Sequence, residues 1–268
     1  MSRTHATDDV IAGQSGRGQL LCPDDPAPVE VCHARSKSPV VLLCEHAGQA
    51  IPQALNGLGL PDGAIDQHIG WDIGAGALAR AVSDRLRCPL IIQRYSRLVI
   101  DCNRPPGSEA SVPEASDGVR VPGNAGLGPK DLAERTCAIF NPMNAAIDAA
   151  FDAHPRQAAF SIHSFTRHFQ GQDRPWDAGF LTRRDRPTAR VLMTSISRKA
   201  ADLELALNQP YQIEDATDWF IPRHAEPRGV RHTLIEVRND HLRDEAGVAH
   251  WADLLADAIH DAVAEARP

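Results

Sequence analysis

Pro39-Val40-Val41-Leu42-Leu43-Cys44-Glu45-His46-Ala47-Gly48 opens the ordered pattern of this chain, a β-rich apolar run that stops at an imidazole and a small-residue turn. A run that is apolar at every position and bounded by turn residues predicts a buried strand. Ile73, Ala77, Leu78, Ala81, Val82 and Leu86 then recur at helical spacing, and Cys88-Pro89 closes that helix before Leu90-Ile91-Ile92. Strand, helix and strand in succession mark an α/β chain, a sheet covered by helices on its faces.

Working outward, residues 1 to 38 are rich in Gly, Pro, Ser and Asp and keep no sustained period, which predicts a loosely packed extension without chemistry. Residues 39–268 read as one domain. Leu98-Val99-Ile100-Asp101-Cys102 reads as a further short strand, cut off by Asn103-Arg104-Pro105-Pro106-Gly107. From Pro106 to about Pro129 a long loop is expected, of the kind that borders active sites. Residues 130 to 153 are helical in period but contain Pro142, so a kink or two helices must follow. Ala158 to His163 is the next buried strand and Ala178 to Thr182 another. Residues 189 to 207 read as a helix, and 244 to 266 as a closing helix with Trp251, Leu254, Leu255 and Ile259 on one face. No internal repeat is visible.

Composition narrows the function classes. At 268 residues and 43% hydrophobic, the chain buries one large core without requiring two domains. A formal charge of −7 and the lack of basic runs disfavour a nucleic-acid partner. No apolar stretch approaches the ~20 residues of a membrane span, and the N-terminus lacks the apolar core of a signal peptide, so a soluble cytoplasmic protein without a membrane partner is expected. The six cysteines are irregularly spaced without a C-x-x-C pair, which predicts reduced thiols rather than a disulfide framework or thiolate zinc finger.

Three strand-end groups carry the chemistry. His46 ends the first run, His163 ends the apolar run in Ser161-Ile162-His163-Ser164, and Glu236 lies inside His232-Thr233-Leu234-Ile235-Glu236-Val237-Arg238. Open α/β folds build sites at the carboxyl ends of their strands, so two such histidines can converge on one metal. Catalytic zinc usually takes three protein ligands, and the third here is Asp72 or Glu45. Asp72 is preferred, although an Asp at a helix start also serves as a cap. Burial of Glu236 would raise its pKa into the range of a general base for a bound water. A salt bridge to Arg238, on the same strand face, is its structural alternative. Arg97 and Arg104 bracket the segment ending in Asp101 and Asn103, and arginine suits bidentate capture of a carboxylate, so an anionic substrate is expected. Tail and helix-surface histidines (His5, His33, His154, His250, His260) read as solvated.

These pieces together resemble the N-formylglutamate amidohydrolase family. The carriers are Cys44-Glu45-His46-Ala47-Gly48, Gly70-Trp71-Asp72-Ile73-Gly74-Ala75, Ser96 through Pro105, Ser161 through Ser164, and Ile235-Glu236-Val237-Arg238-Asn239-Asp240. The resemblance implies a zinc-carboxypeptidase-like fold, a three-layer α/β arrangement with a mixed sheet flanked by helices. It also implies hydrolysis of the amide of an N-acylated acidic amino acid, with N-formyl-L-glutamate as the expected small-molecule substrate. By the same analogy His46, Asp72 and His163 hold Zn2+ or another divalent transition metal and Glu236 is the base, and in the mechanism this suggests Arg97 stabilises the developing oxyanion or a carboxylate. Asn103, Arg104, Ser164 and Arg238 then face the substrate. Where the more familiar family pattern has a proline before the first histidine, Glu45 stands here, and Ile162 precedes the second. A zinc amidase or carboxypeptidase acting on another N-acyl amino acid or a peptide is the alternative. A zinc- or ligand-binding protein without turnover is the reading from a different class.

Overall fold

Every residue of Val40–Cys44 and of Ala158–Phe165 is buried, as expected of strands covered on both faces. The computed structural model describes residues 20–265. The strands of its main sheet are β1 (Val29–Cys32), β2 (Val40–Cys44), β3 (Leu90–Gln93), β4 (Ala158–Phe165), β5 (Ala178–Leu181), β6 (Leu205–Leu207) and β7 (Arg231–Arg238). They form one seven-stranded mixed sheet in the order β1-β3-β2-β4-β7-β5-β6. β3, β2, β4 and β7 run parallel, whereas β1 is antiparallel to β3 and β5 antiparallel to β7.

The strand alternation of two sets the layers. Val40, Leu42, Phe160, Ile162, Ile235 and Val237 face one core, filled by α1 (Ala75–Leu86), α4 (Arg186–Lys199) and α5 (Glu245–Ala264). Val41, Leu43, Ile91, Ala159 and Leu234 face the other, against Ile139, Phe140, Met143 and Ile147 of the helical run that contains α2 (Pro129–Arg135) and α3 (Asn141–Ala153). Helix, sheet and helix make the three layers. On the second face β4 changes from Ala159 to Ser161 and His163, so polarity is concentrated at the carboxyl end of the central strands. No helix among the described residues is long and apolar enough to cross a membrane.

Four expectations are corrected here. Residues 98 to 102 form no strand; the segment is a buried series of turns. Its backbone is satisfied instead by Ser96, whose hydroxyl accepts from Leu98 N–H, and by Asn124 and Arg135, which donate to the carbonyls of Leu98 and Val99. The helix expected over 189–207 stops at Lys199, because Leu205–Leu207 is needed as an edge strand beside β5. In the extension, Val29–Cys32 is not loose but closes the opposite sheet edge on β3; its first 19 residues lie outside the described residues. The proline-containing run is continuous, with one π-helical turn at Thr136–Phe140 between α2 and α3, where Asn141 N–H reaches back to the carbonyl of Thr136. That wider turn takes up the disturbance of Pro142, which has no N–H to give.

Candidate metal centre and active site

Backbone contacts bring the distant motifs together before any side chain acts. Gly48 runs so close to Arg94 that a Cβ there would lie 2.0 Å from the Arg94 carbonyl atoms, so only glycine permits the approach. Ala50 N–H bonds to the carbonyl of Arg94 and Ser96 N–H to that of Ala50, tying the loop after β2 to the loop after β3. The Ser96 hydroxyl donates to the carbonyl of Gly70 at 2.7 Å, and Asp72 N–H bonds to the carbonyl of His46 at 2.9 Å. Asp72 is therefore held under His46. It is not the cap of α1, a position taken by Gly74.

The side chains meet at the carboxyl end of β2, β4 and β7. His163 Nδ1 lies 2.8 Å from Asp72 Oδ2, and His46 Nδ1 lies 3.4 Å from the same oxygen. The two imidazoles stand edge to face with ring centres 4.7 Å apart. One ligand atom from each of His46, Asp72 and His163 lies within 4.8 Å of the others, and all three residues are buried. His46 Nδ1 has no hydrogen-bond partner. A buried acceptor left open beside a carboxylate and a second imidazole fits a divalent cation held by nitrogen and oxygen donors.

Each histidine is braced from behind through its Nε2. That of His46 bonds to Asp101 Oδ1 at 2.7 Å. That of His163 bonds to Ser161 Oγ at 2.8 Å and lies 3.2 Å from Glu45 Oε2, while the Ser161 hydroxyl donates to Glu45. A carboxylate behind each ring fixes its orientation and turns Nδ1 of both histidines toward Asp72. Glu45 is thus a brace for His163 in this structure, and the cluster that can hold a metal uses Asp72. Asp101 and Ser161 were not singled out as functional in the sequence. The signal for Asp101 was its lone charge in an apolar stretch, which a short strand reading hid.

Glu236 is the register partner of His163 across β4 and β7, so both side chains emerge side by side on the same sheet face. It forms no salt bridge with Arg238, and its Oε2 is buried without a partner. Burial raises the Glu236 carboxyl to about 7, with His163, His46 and Arg97 pulling it down and the Asp72 charge pushing it up. Burial also opposes the charged form of His163, yet its bonds to Asp72 and Glu45 outweigh that and place its pKa well above the usual imidazole range. His46 and His163 hold the Asp72 carboxyl below its ordinary value despite burial. Arg97 bridges the acids, with contacts of 3.3 Å to Asp72 and 2.7 Å to Asp101, and a quarter of its side chain stays open to solvent.

The remaining predicted residues are not brought into the cluster. Asn103 Oδ1 accepts the backbone N–H groups of Trp219 and Phe220, and Arg104 donates to the carbonyl of Thr217 at 2.7 Å and lies 3.4 Å from Asp218. Asn103 through Oδ1 and Arg104 through Nη1 anchor the loop at 217–220, and a quarter of the Arg104 side chain stays open to solvent. The Ser164 hydroxyl donates to the carbonyl of Ile73, on the opposite strand face from His163. Arg238 is committed to Asp177, Asp240 and the carbonyls of Pro175 and Trp176. Its length lets it turn back along the strand end toward these acids.

Comparison with known proteins places this geometry. A gene product of Agrobacterium tumefaciens is 33% identical in sequence with a TM-score of 0.86, over 91% of this chain and 98% of that one. An N-formylglutamate amidohydrolase from Ralstonia eutropha shares the fold at 16% identity and a TM-score of 0.56, over 88% of this chain and 98% of that one. A comparison with curated protein sequences gives no match. The sequence model of N-formylglutamate amidohydrolase matches residues 38–243, a span that includes His46, Asp72, Asp101, His163 and Glu236. The chain belongs to the N-formylglutamate amidohydrolase family.

Proposed function

We propose that this protein is a zinc-dependent amidohydrolase that converts N-formyl-L-glutamate and water to L-glutamate and formate. The observation that carries the reading is the buried His46–Asp72–His163 cluster with the unpartnered carboxyl of Glu236 in register beside it. Zinc bound by those three residues would supply Lewis-acid polarisation of the acyl carbonyl and make an attacking water more acidic.

The protein groups divide the remaining work. Glu236, a buried carboxyl with one oxygen unpartnered beside His163, is placed to exchange a proton with a water at the cluster. It takes a proton from the water whose oxygen bonds to the formyl carbon. It then returns that proton to the nitrogen as the carbon–nitrogen bond breaks. Arg97 keeps its positive charge beside Asp72 and Asp101 and opposes the negative charge that develops on the carbonyl oxygen. Asp101 and Glu45 hold the two imidazoles in one orientation, so no reorganisation is needed during the reaction.

The test is Glu236→Gln with bound zinc verified by metal analysis. Turnover of N-formyl-L-glutamate is expected to fall about 10²–10⁴-fold, the usual contribution of a positioned acid or base. Hydrolysis at the parent rate would overturn the assignment.

A further inference from the structure

Arg104 anchors the 217–220 loop through one guanidinium nitrogen, and an acyl amino acid with two carboxylates calls for a second cation. Arg174 stands out among the buried arginines. Arg135 and Arg156, which also lack acidic partners, each spend their donors on three oxygen acceptors, most of them carbonyls. Arg174 is 8% exposed, yet its side chain makes one hydrogen bond, to the Tyr211 hydroxyl at 3.0 Å. Among the described residues no carboxylate pairs with it; its guanidinium instead lies between the rings of Phe169, 4.4 Å from the centroid, and Tyr211, 4.9 Å away. A guanidinium offers five N–H donors, and with one of its nitrogens on Tyr211 the rest of the Arg174 fork is available to an anion. The aromatic faces hold the ion without neutralising it.

Its position is next to the reacting centre. Arg174 belongs to the loop that leaves β4 just beyond His163, closed by the bond from Arg174 N–H to the carbonyl of Arg167 at 2.8 Å. Tyr211 is delivered from the other side. Gly179 of β5 is the register partner of Glu236, and the carbonyl oxygen of Gln209 sits 1.6 Å from where a Gly179 Cβ would be. Since opposed residues of an antiparallel pair share a face, the chain at Gln209 crosses the sheet beside Glu236, two residues before Tyr211. The Tyr211 phenol is pushed up by its own burial and by the Glu236 charge and drawn down by Arg174 and Arg97, which sets it within the electrostatic reach of all three. Tyr211 is also the one large apolar side chain left exposed among the described residues, at 42%.

We propose that Arg174, stacked between Phe169 and Tyr211, is the subsite that binds one carboxylate of the acyl amino acid, with the Tyr211 hydroxyl as a second donor. The planar fork of Arg174 suits bidentate capture of a carboxylate, and the two aromatic rings fix its orientation. The inference rests on the acyl-amino-acid reading above, so its test reads binding without turnover.

The zinc-loaded Glu236→Gln protein is titrated calorimetrically with N-formyl-L-glutamate, N-formyl-L-glutamine and the α-amide of N-formyl-L-glutamate. Each amide is expected to bind more weakly than the diacid. Adding Arg174→Gln should weaken the diacid about 30-fold or more and abolish the penalty for amidating one of the two carboxylates, leaving the other penalty intact. Tyr211→Phe, which keeps the ring and the stack, should reduce the same preference severalfold, and thermal melting verifies that each variant is folded. The proposal is overturned if both penalties survive Arg174→Gln and Tyr211→Phe, if all three ligands weaken equally, or if the diacid does not bind. If the Glu236→Gln background shows the Arg174-dependent preference while the parent protein with Glu236 intact and zinc bound hydrolyses none of the three, the subsite is retained and the amidohydrolase reading is lost.

Discussion

Asp101→Asn is the perturbation that most directly probes the bracing of the cluster. Asp101 Oδ1 receives His46 Nε2 at 2.7 Å and Asn103 N–H at 2.9 Å, while Oδ2 receives the Arg97 guanidinium at 2.7 Å. Burial alone would favour the neutral acid, but His46 and Arg97 hold the carboxyl well below its ordinary range, so the native group is charged. An asparagine has two orientations and neither serves. With its oxygen toward His46, its NH2 opposes the donors of Arg97. With its NH2 toward His46, the imidazole must accept at Nε2 and carry its proton on Nδ1, the nitrogen needed for the metal. Either way one bond to a charged group is lost, which costs about 1.5–3 kcal/mol. At 1.4 kcal/mol per factor of ten, zinc affinity should fall about 10–100-fold. Competition between the protein and a chromogenic chelator at fixed pH measures this, with thermal melting as a check on folding. An affinity within twofold of the parent would refute the bracing role of Asp101 and leave the His46 orientation unexplained.

Two further outcomes follow from the shifted titrations. In the metal-free protein the Glu236 carboxyl is raised from 4.5 to about 7, so the folded chain binds that proton more tightly than the unfolded chain and loses stability as pH rises across that window. Glu236→Gln should therefore stabilise the metal-free protein by on the order of 3 kcal/mol above pH 7 and hardly at all near pH 4.5, as read by urea unfolding at the two pH values; equal effects at both would contradict the burial argument. Because the His163 pKa is raised well above the usual imidazole range, its ring is charged at pH 7 without metal and must lose a proton to become a ligand. Zinc binding at pH 7 is expected to release about one proton or more, and calorimetry in buffers of different ionisation enthalpy would expose the absence of such release.

Much of the architecture was legible because the central strands are buried on both faces. Val40–Cys44 and the apolar stretches around His163 and Glu236 need no tertiary knowledge to be read as strands, and their polar ends mark where the site lies. What was not legible depends on partners far away in the chain. Residues 98 to 102 are as apolar as a strand, yet their backbone groups are satisfied by Asn124 and Arg135 and form no ladder. Leu205–Leu207 continues a helical pattern in the sequence and becomes a strand only because β5 offers an edge. In the site, His46 and His163 were read from strand-end placement, Glu236 from its buried strand and Asp72 from its place before the first helix and the family resemblance, and the fold brings the four together. Their braces were not, since a Ser161 hydroxyl bonded to Glu45 and an Asp101 carboxylate bonded to His46 have no local signature. The arginines show the same limit from the other side. Arg104 read as substrate-facing in the sequence and Arg238 as substrate-facing or paired to Glu236, and only the fold shows the acids and carbonyls that each one contacts.

The most direct test is a crystal structure of the zinc-loaded protein with anomalous scattering recorded on both sides of the zinc edge. One buried peak is expected, within about 2.0–2.2 Å of Nδ1 of His46, Nδ1 of His163 and a carboxylate oxygen of Asp72. A peak bound through Glu45, or no peak between the two imidazoles at full zinc occupancy in solution, would contradict the assignment of this cluster as the metal centre.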